Sequence, residues 1–316
     1  MKAFIITATK GRTKETQRLL DCLQRQTFQP TFTIIAGTEP RDLEGISNHP
    51  WIAAGHGEAI VSPRMGSCAQ RNFGMEILEQ RGYFAPEAGR FFCVFVDDDY
   101  RLADDWLEQA AKRFDQDNIV GLTGQILADG VHGNPATVQR PRRGLTEDQA
   151  TDFISGKTPP ESHWASGPHE RDTASVYGCN MAFVDTVVRQ TRFDENLPLY
   201  GWQDDRDYTV IAKKLGRVIY FPGCKGVHLG VKSGRTSSVK FGYSQIANPL
   251  YLMKKKTMGY RIGTRLIMRA LAANLIRGFR DHPVVDYRGR LRGNMRAVWD
   301  IVCFRSDPRR IIDGSF

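Results

Sequence analysis

The segment Phe91-Phe92-Cys93-Val94-Phe95-Val96 runs straight into Asp97-Asp98-Asp99. Consecutive apolar side chains leave neither face of a strand for water, so the run fits the interior of a sheet covered on both sides. Three adjacent carboxylates repel one another and call for a counter-charge. Two readings follow. The aspartates hold a divalent cation, which prefers oxygen ligands and is commonly held by one or two carboxylates together with substrate phosphates. Otherwise they form a solvated acidic turn leading into a helix over about Ala103 to Phe114.

The surrounding sequence alternates between the two periodicities. Ala3 to Thr7 and Thr31 to Ala36 are strand-like, while Lys14 to Gln26 carries Leu19, Leu20 and Leu23 at helical spacing. Ser67 to Gln80 reads as a helix and Ile119 to Thr123 as a short strand. Val176 to Val184 resumes a strand pattern, Gln203 to Leu215 is a helix closed by Gly216, and Val218 to Phe221 is a short strand. Such alternation predicts an α/β fold, Rossmann-like, with a mostly parallel central sheet flanked by helices. Ligands of these sheets bind beyond the carboxyl ends of the strands, so the loops after Ile6, Ala36 and Val96 are expected to share one crevice. From Asp129 to about Thr173 the chain is polar and rich in Pro, Gly and His, and reads as a long surface insertion.

The 316 residues suffice for one large domain or one domain with an appendage. The division expected is one main α/β domain over residues 1–240 and a basic helical C-terminal extension over 241–316. No run of about 18 apolar residues offers a spanning helix, and the short N-terminal apolar run lacks the length and cleavage site of a signal peptide. Six cysteines lie scattered without a C-x-x-C pair, which fits a reducing compartment and a cytoplasmic location. A net charge of +9, concentrated after Lys213, suggests an anionic partner: a phosphorylated small molecule, an anionic membrane surface or nucleic acid.

Two further clusters carry chemistry. Gln203-Asp204-Asp205-Arg206-Asp207 opens a predicted helix, where aspartates are favoured by capping and by the helix dipole. Neither effect accounts for the flanking Tyr200 and Trp202, which would suit a ring-shaped ligand. A carboxylate beside a metal–phosphate site can also serve as a general base. His228 follows a strand and precedes a flexible loop with Lys232, Ser233, Gly234 and Arg235. An imidazole there is either packed or a ligand completing a mixed oxygen and nitrogen shell. The two cations could reach diphosphate oxygens as the loop closes.

Taken in order, these elements resemble the family 2 inverting glycosyltransferases of the GT-A fold, from Ala3 to about Asn248. Ala8-Thr9-Lys10-Gly11-Arg12 resembles the first nucleotide-binding loop, without the proline many members carry. Gln70-Arg71-Asn72-Phe73-Gly74 resembles the R-N-x-G helix start beside the donor site. Asp97 to Asp99 match the D-x-D element, and Gly178-Cys179-Asn180-Met181-Ala182-Phe183 resembles the strand that lines the acceptor site. Asp204-Asp205-Arg206-Asp207 matches the E-D-x-D element, with Asp204 where glutamate is common.

The resemblance implies a metal-dependent hexosyl transfer from a nucleotide-diphosphate sugar, UDP favoured, to the hydroxyl of a carbohydrate or lipid-linked acceptor. Polysaccharide or glycolipid biosynthesis is the expected setting. Asp205 would be the base, and Asp99 and His228 would hold Mn²⁺ or Mg²⁺. Thr9, Arg12, Glu39, Arg71, Asp97, Asp98, Lys232 and Arg235 would contact the donor. Asn180, Trp202 and Asp204 would contact the acceptor. Where many members place a base-reading aspartate after the second strand, this chain has Gly37-Thr38-Glu39, and Glu39 is the substitute.

Two other classes compete. A sugar-1-phosphate nucleotidyltransferase would open on a longer Gly-rich loop than Lys10-Gly11-Arg12. A basic nucleic-acid-binding protein would not set aspartates at its binding edge, so nucleic acid is not an expected partner. From Arg261 to Arg280, five arginines (Arg261, Arg265, Arg269, Arg277, Arg280) share one helical arc, with Ile267, Met268, Leu271, Leu275 and Phe279 on the other. Such a helix either lies on an anionic membrane, as a peripheral protein of the inner face would, or packs on the domain with its arginines in water.

Overall fold

The structure, a computed structural model, describes residues 1–116, 118–131, 144–279 and 282–312. β1 (Lys2–Ala8), α1 (Thr13–Gln24) and β2 (Phe32–Gly37) lead into α2 (Pro50–Ala53), β3 (Gly57–Val61) and α3 (Ser67–Gln80). β4 (Phe91–Val96), β5 (Tyr100–Leu102), α4 (Trp106–Phe114) and β6 (Ile119–Asp129) follow. Next come α5 (Glu147–Ile154), β7 (Arg171–Asp172), β8 (Asn180–Val184), α6 (Asp185–Gln190), α7 (Asp204–Ala212) and β9 (Arg217–His228). The chain then forms α8 (Ser238–Lys254), α9 (Tyr260–Gly278) and α10 (Tyr287–Val302).

The strands make one sheet in the order β3-β2-β1-β4-β8-β6-β9-β5, with β7 also paired to β9. β3, β2, β1 and β4 are mutually parallel. β8 is antiparallel to both β4 and β6, so β6, and β9 parallel to it, run the same way as β4. Only β5, β7 and β8 run against that direction. One rim of the sheet therefore collects the carboxyl ends of β1, β2, β4, β6 and β9 and the amino end of β8. Every residue of β4 is buried, as its unbroken apolar run requires.

The Q-R-N-F-G segment shows why particular residue types sit at the start of α3. Gln70 Nε2 donates to the Thr9 and Ala36 carbonyls at 3.0 and 2.6 Å, tying the ends of β1 and β2 together. Asn72 exchanges hydrogen bonds with the Phe193 backbone, 2.8 and 2.9 Å. Gly74 lies where a Cβ would come within 2.7 Å of Ile6 Cγ2, so its missing side chain sets how closely α3 rests on β1.

Several elements differ from expectation. β6 continues to Asp129 and β9 to His228, because register shifts let the two remain paired beyond Gly124 and past Pro222-Gly223. α7 ends at Ala212, and Gly216 is no helix cap. It sits where a Cβ would meet Val120 and the Asn118 carbonyl, at the sharp entry to β9. The expected surface insertion is partly built in: α5 packs Ala150 and Phe153 against Leu127, Val227 and Leu229, and Arg101 holds Glu147 by two bonds of 2.7 and 2.8 Å. The segment 132–143 of that insertion lies outside the described residues.

α8 fastens the C-terminal helices to the sheet domain. Lys255 Nζ reaches Asp194 and Asp207 at 2.6 Å each, and Asn248 donates to the Trp202 carbonyl. Residue 240 falls in the first turn of α8. α9 and α10 run antiparallel: Asn274 bonds Asn294 at 2.7 Å, and Arg288 Nε reaches the Gly278 carbonyl. The apolar arc expected on α9 is split. Ile267 and Leu271 pack inward, whereas Met268, Leu275 and Phe279 face solvent beside the arginines. Arg280 lies outside the described residues. No described helix is long and apolar enough to cross a membrane.

Replacing Gly74 by Val forces side-chain atoms against Ile6 and is expected to cost about 1–3 kcal/mol. Urea unfolding checks this, and an unchanged midpoint would show that α3 is free to shift outward.

Candidate active site

β4 delivers Asp97, Asp98 and Asp99 to the rim, and each carboxylate meets a different partner. Arg71 Nη2 lies 3.2 Å from Asp97. Asp98 accepts from Thr9 Oγ1 at 2.7 Å and Arg12 Nη1 at 2.8 Å. Asp99 Oδ2 accepts the Val231 amide at 2.8 Å and lies 3.3 Å from Arg12. Its Oδ1 is buried, makes no hydrogen bond among the described residues, and faces His228 Nε2 at 3.4 Å.

His228 stands at the end of β9, in register with Asp129 at the end of β6. Its Nδ1 lies 3.1 Å from Asp129 Oδ1, while Tyr177 Oη donates to Asp129 Oδ2 at 2.9 Å. That contact fixes the ring and directs Nε2 toward Asp99, the orientation a metal-ligating imidazole takes from a supporting carboxylate. Burial disfavours the imidazolium, but Asp99 and Asp129 outweigh it and raise the His228 pKa to about 10. Burial likewise opposes the Asp99 charge, yet His228, then Arg12 and the Val231 amide, hold its carboxyl well below the usual range. Asp98 is pushed up to about 7 by burial, against the pull of Arg12.

Asp97, Asp99 and His228 each offer a ligand atom within 4.8 Å of the others. The unsatisfied Asp99 oxygen, two carboxylates and one imidazole fit a divalent cation, and mixed oxygen and nitrogen donors suit Mn²⁺. A loop straps this cluster. Arg12 donates to the carbonyls of Ser233 and Val231 at 2.8 and 2.9 Å, and Arg235 Nε to that of Val231 at 2.8 Å. Gly230 and Gly234 turn the strap with φ of +70° and +68°, conformations that L side chains seldom adopt. Half-buried Lys232, on the strap, is lowered to about 8 by burial and then by Arg235.

The second acidic cluster shares this rim through one side chain. Arg71, 5 % exposed, reaches Asp204 at 2.7 Å with Nη1, and Asp97 and the Gly178 carbonyl at 3.2 and 3.1 Å with Nη2. Asp204 also accepts from Ser67 and Cys68. Asp205 sits at the first turn of α7 beside Gly178, where a Cβ would lie 3.7 Å from its carboxylate. Its Oδ1 accepts the Arg206 amide at 2.7 Å, and Oδ2 makes no hydrogen bond among the described residues. Burial, reinforced by Asp204, pushes Asp205 up to about 7.

Thr9, Arg12, Arg71, Asp97, Asp98, Asp99, Asp204, Asp205 and His228 are thus drawn together, with Lys232 and Arg235 above them. Tyr200 and Trp202 stand edge-on to Phe241 of α8, at ring distances of 5.8 and 6.1 Å. Two of the expected contact residues are engaged elsewhere. Asn180 is enclosed between β4 and β6, its Oδ1 accepting from Thr123 at 2.7 Å and its Nδ2 donating to Tyr100 at 2.9 Å. Glu39 points to Arg41 at 2.7 Å. The carboxylate that organises the β2 loop is Asp42, which gathers the amides of Gly11, Thr38 and Glu39. Asp129 was missed too, although an aspartate closing a buried run is the signature that marks Asp97.

No protein-family model matches the sequence, and no curated protein matches it significantly. Solved structures do resemble the fold. The mannosyltransferase PcManGT from Pyrobaculum calidifontis, in complex with GDP-Man and Mn²⁺, has a TM-score of 0.52 at 16 % identity, covering 98 % of this chain and 85 % of that one. Staphylococcus aureus TarS 1-349 in complex with UDP-GlcNAc gives 0.53 at 14 %, covering 98 % and 83 %. GalNAc-T7 with UDP, GalNAc and Mn²⁺ gives 0.51 at 12 %, covering 96 % and 57 %. Against another S. aureus TarS structure, the chain spans 44 % of that protein's length. The fold is that of the GT-A glycosyltransferases, followed by C-terminal helices.

Arg71→Met leaves Asp97 and Asp204 facing one another without a cation, and breaking such a buried pair costs about 3–5 kcal/mol. Both carboxylates are already raised by burial and take up protons more readily without Arg71. The loss is therefore expected to be largest at pH 8 and smaller at pH 5. Urea unfolding at the two values reads it, and equal losses would refute a charge-based role.

Proposed function

We propose that this protein is a metal-dependent inverting glycosyltransferase that moves a sugar from a nucleotide-diphosphate donor to an acceptor hydroxyl. One observation carries the reading: Arg71 binds Asp97 of one acidic cluster and Asp204 of the other, so a cation site and a candidate base share one rim. The solved structures of like fold hold nucleotides, nucleotide sugars and Mn²⁺ at low identity, which supports the class of donor without fixing its base or sugar.

Asp99 and His228, joined by Asp97, are the residues that would hold Mn²⁺ or Mg²⁺. Bound there, the ion supplies Lewis-acid neutralisation of the charge that develops on a departing diphosphate. Asp205 Oδ2 takes the proton of the acceptor hydroxyl as its oxygen attacks the anomeric carbon. A pKa near 7 suits that task, because the base is free at neutral pH yet basic enough to accept. One displacement inverts the anomeric centre. Asp129 holds the His228 ring, and Arg12 ties the strap to Asp98. Lys232 and Arg235 stand above the site as cations for donor phosphates. UDP as the donor nucleotide, membership of family 2, and a carbohydrate or lipid-linked acceptor in polysaccharide or glycolipid synthesis follow from the sequence resemblance and belong to this proposal.

Asp205→Asn is expected to retain nucleotide-sugar binding and lose about 10²–10⁴-fold in transfer. In the unmodified protein kcat/KM should rise as pH increases through about 7, where Asp205 deprotonates. The same carboxyl is raised above its usual value by folding, so its contribution to stability is full at acid pH and fades as pH climbs through about 7. The Asn variant should accordingly melt higher than the parent at pH 8 but not at pH 4. Full turnover by Asp205→Asn would end the base assignment.

A thermal-shift titration tests the cation site without any sugar. Mn²⁺ at about 100 times its Kd should stabilise the protein by roughly 2.7 kcal/mol. Asp99→Asn and His228→Ala should lose that shift, whereas Asp205→Asn keeps it. A shift that survives both ligand substitutions would locate the ion elsewhere.

A further inference from the structure

Residues 1–240 carry 29 Lys and Arg against 30 Asp and Glu, whereas residues 241–316 carry 15 against 5, so the whole excess of +9 belongs to the C-terminal section. α9 holds four arginines and no carboxylate, and α10 four arginines and one aspartate. Arg261, Arg265 and Arg269 repeat at four-residue spacing on α9, as do Arg288, Arg292 and Arg296 on α10, and all six are exposed. Like charges at that spacing destabilise a helix. The α9 ladder, with no carboxylate on its own helix, suits an anionic partner.

Apolar side chains stand among these arginines. On α9, Met268 and Ile276 are 63 and 72 % exposed, and Phe279 at its C-cap is 76 % exposed. On α10, Trp299 is 61 % exposed, and Phe304 just beyond it is 99 % exposed. At about 100° per residue, Phe279 and Ile276 fall within the arc of Arg261, Arg265 and Arg269, and Met268 lies about 20° beyond its edge. A groove of about 710 Å³ between α8 and α10 repeats the pattern, with Lys240, Arg292 and Arg296 around Val239, Leu291 and Met295.

We propose that the solvent faces of α9 and α10 dock the protein on an anionic lipid bilayer. Mixed cations and apolar tips match the bilayer interface, where guanidinium groups meet phosphates while the tips enter the acyl boundary. A second copy of the chain would set arginine ladder against arginine ladder in any two-fold contact, which electrostatics opposes. Nucleic acid would satisfy the arginines and leave Ile276, Phe279 and Met268 in water. Docking extends beyond the catalytic proposal, and vesicle binding needs neither donor nor metal, so the two can fail separately.

The test is flotation of the full chain with vesicles of phosphatidylcholine alone, or of phosphatidylcholine mixed with phosphatidylglycerol. The protein should float with the mixed vesicles and stay behind with the neutral ones. Neutralising three arginines together (Arg261→Gln, Arg265→Gln, Arg269→Gln) should weaken partitioning about 100-fold, at roughly a factor of five for each cation near the surface. The set Met268→Ser, Ile276→Ser and Phe279→Ser should weaken it by at least about tenfold. These positions are exposed, and an unchanged melting temperature would confirm that each variant is folded. No flotation of the parent, equal flotation with neutral vesicles, or parental flotation by both variants would overturn the proposal.

Discussion

A single guanidinium organises the rim. Arg71 enters from α3, lies buried against the sheet, and gives one nitrogen to Asp204 and another to Asp97 and the Gly178 carbonyl. Without it, two negative clusters from distant parts of the chain would converge in a poorly hydrated place with nothing to balance them. The flat fork of arginine suits this task better than a lysine point charge, since several oxygens are held in one plane. Gln70, Asn72 and Gly74 support it in turn by fixing α3 to β1, β2 and the Phe193 backbone. The positions of the cation-binding and proton-accepting groups depend on that small piece of helix.

The remaining charges are arranged by the same economy. Arg12 compensates Asp98 and Asp99 and also grips the Val231 and Ser233 carbonyls, so the strap is held by the carboxylates it covers. His228 is balanced between Asp99 and Asp129. Asp205 has the weaker compensation: its neighbour is another carboxylate, and its pKa is raised where Asp99's is lowered. Two aspartates on one rim thus reach opposite protonation behaviour through their neighbours alone, which is how one site can hold a cation and accept a proton.

Much of this was legible in the sequence. β4 and α3 fall where the apolar run and the helical periodicity put them, and the acidic clusters lie at a strand end and a helix start. What escaped has identifiable causes. Pro222-Gly223 looks like a strand breaker, yet a register shift against Gly124 and Gln125 lets β9 continue to His228. The resemblance puts Asn180 on a strand lining the acceptor; it does open β8 at the rim, but Thr123 and Tyr100 occupy its side chain, a pairing that tertiary packing alone sets. Asp42 and Asp129 act through backbone amides and a ring nitrogen brought close only by tertiary packing. Arg71 is expected from the sequence as a donor contact, and its bonds to Asp97 and Asp204 are not legible there, since no local pattern reveals which acids will surround a helix start.

The pairing of His228 with Asp129 also bears on how the molecule assembles. The two side chains are separated by 99 positions along the chain, and Arg71 and Asp204 by 133. Contacts closing such long loops form slowly compared with local helices. The half of the sheet around β1, β2 and β4 already carries Arg12 and Arg71, so Asp97, Asp98 and Asp99 have cationic partners within it. What comes from the far end of the chain is His228 and the strap over Asp99, so the ligand cluster is complete only once β9 has closed against β6.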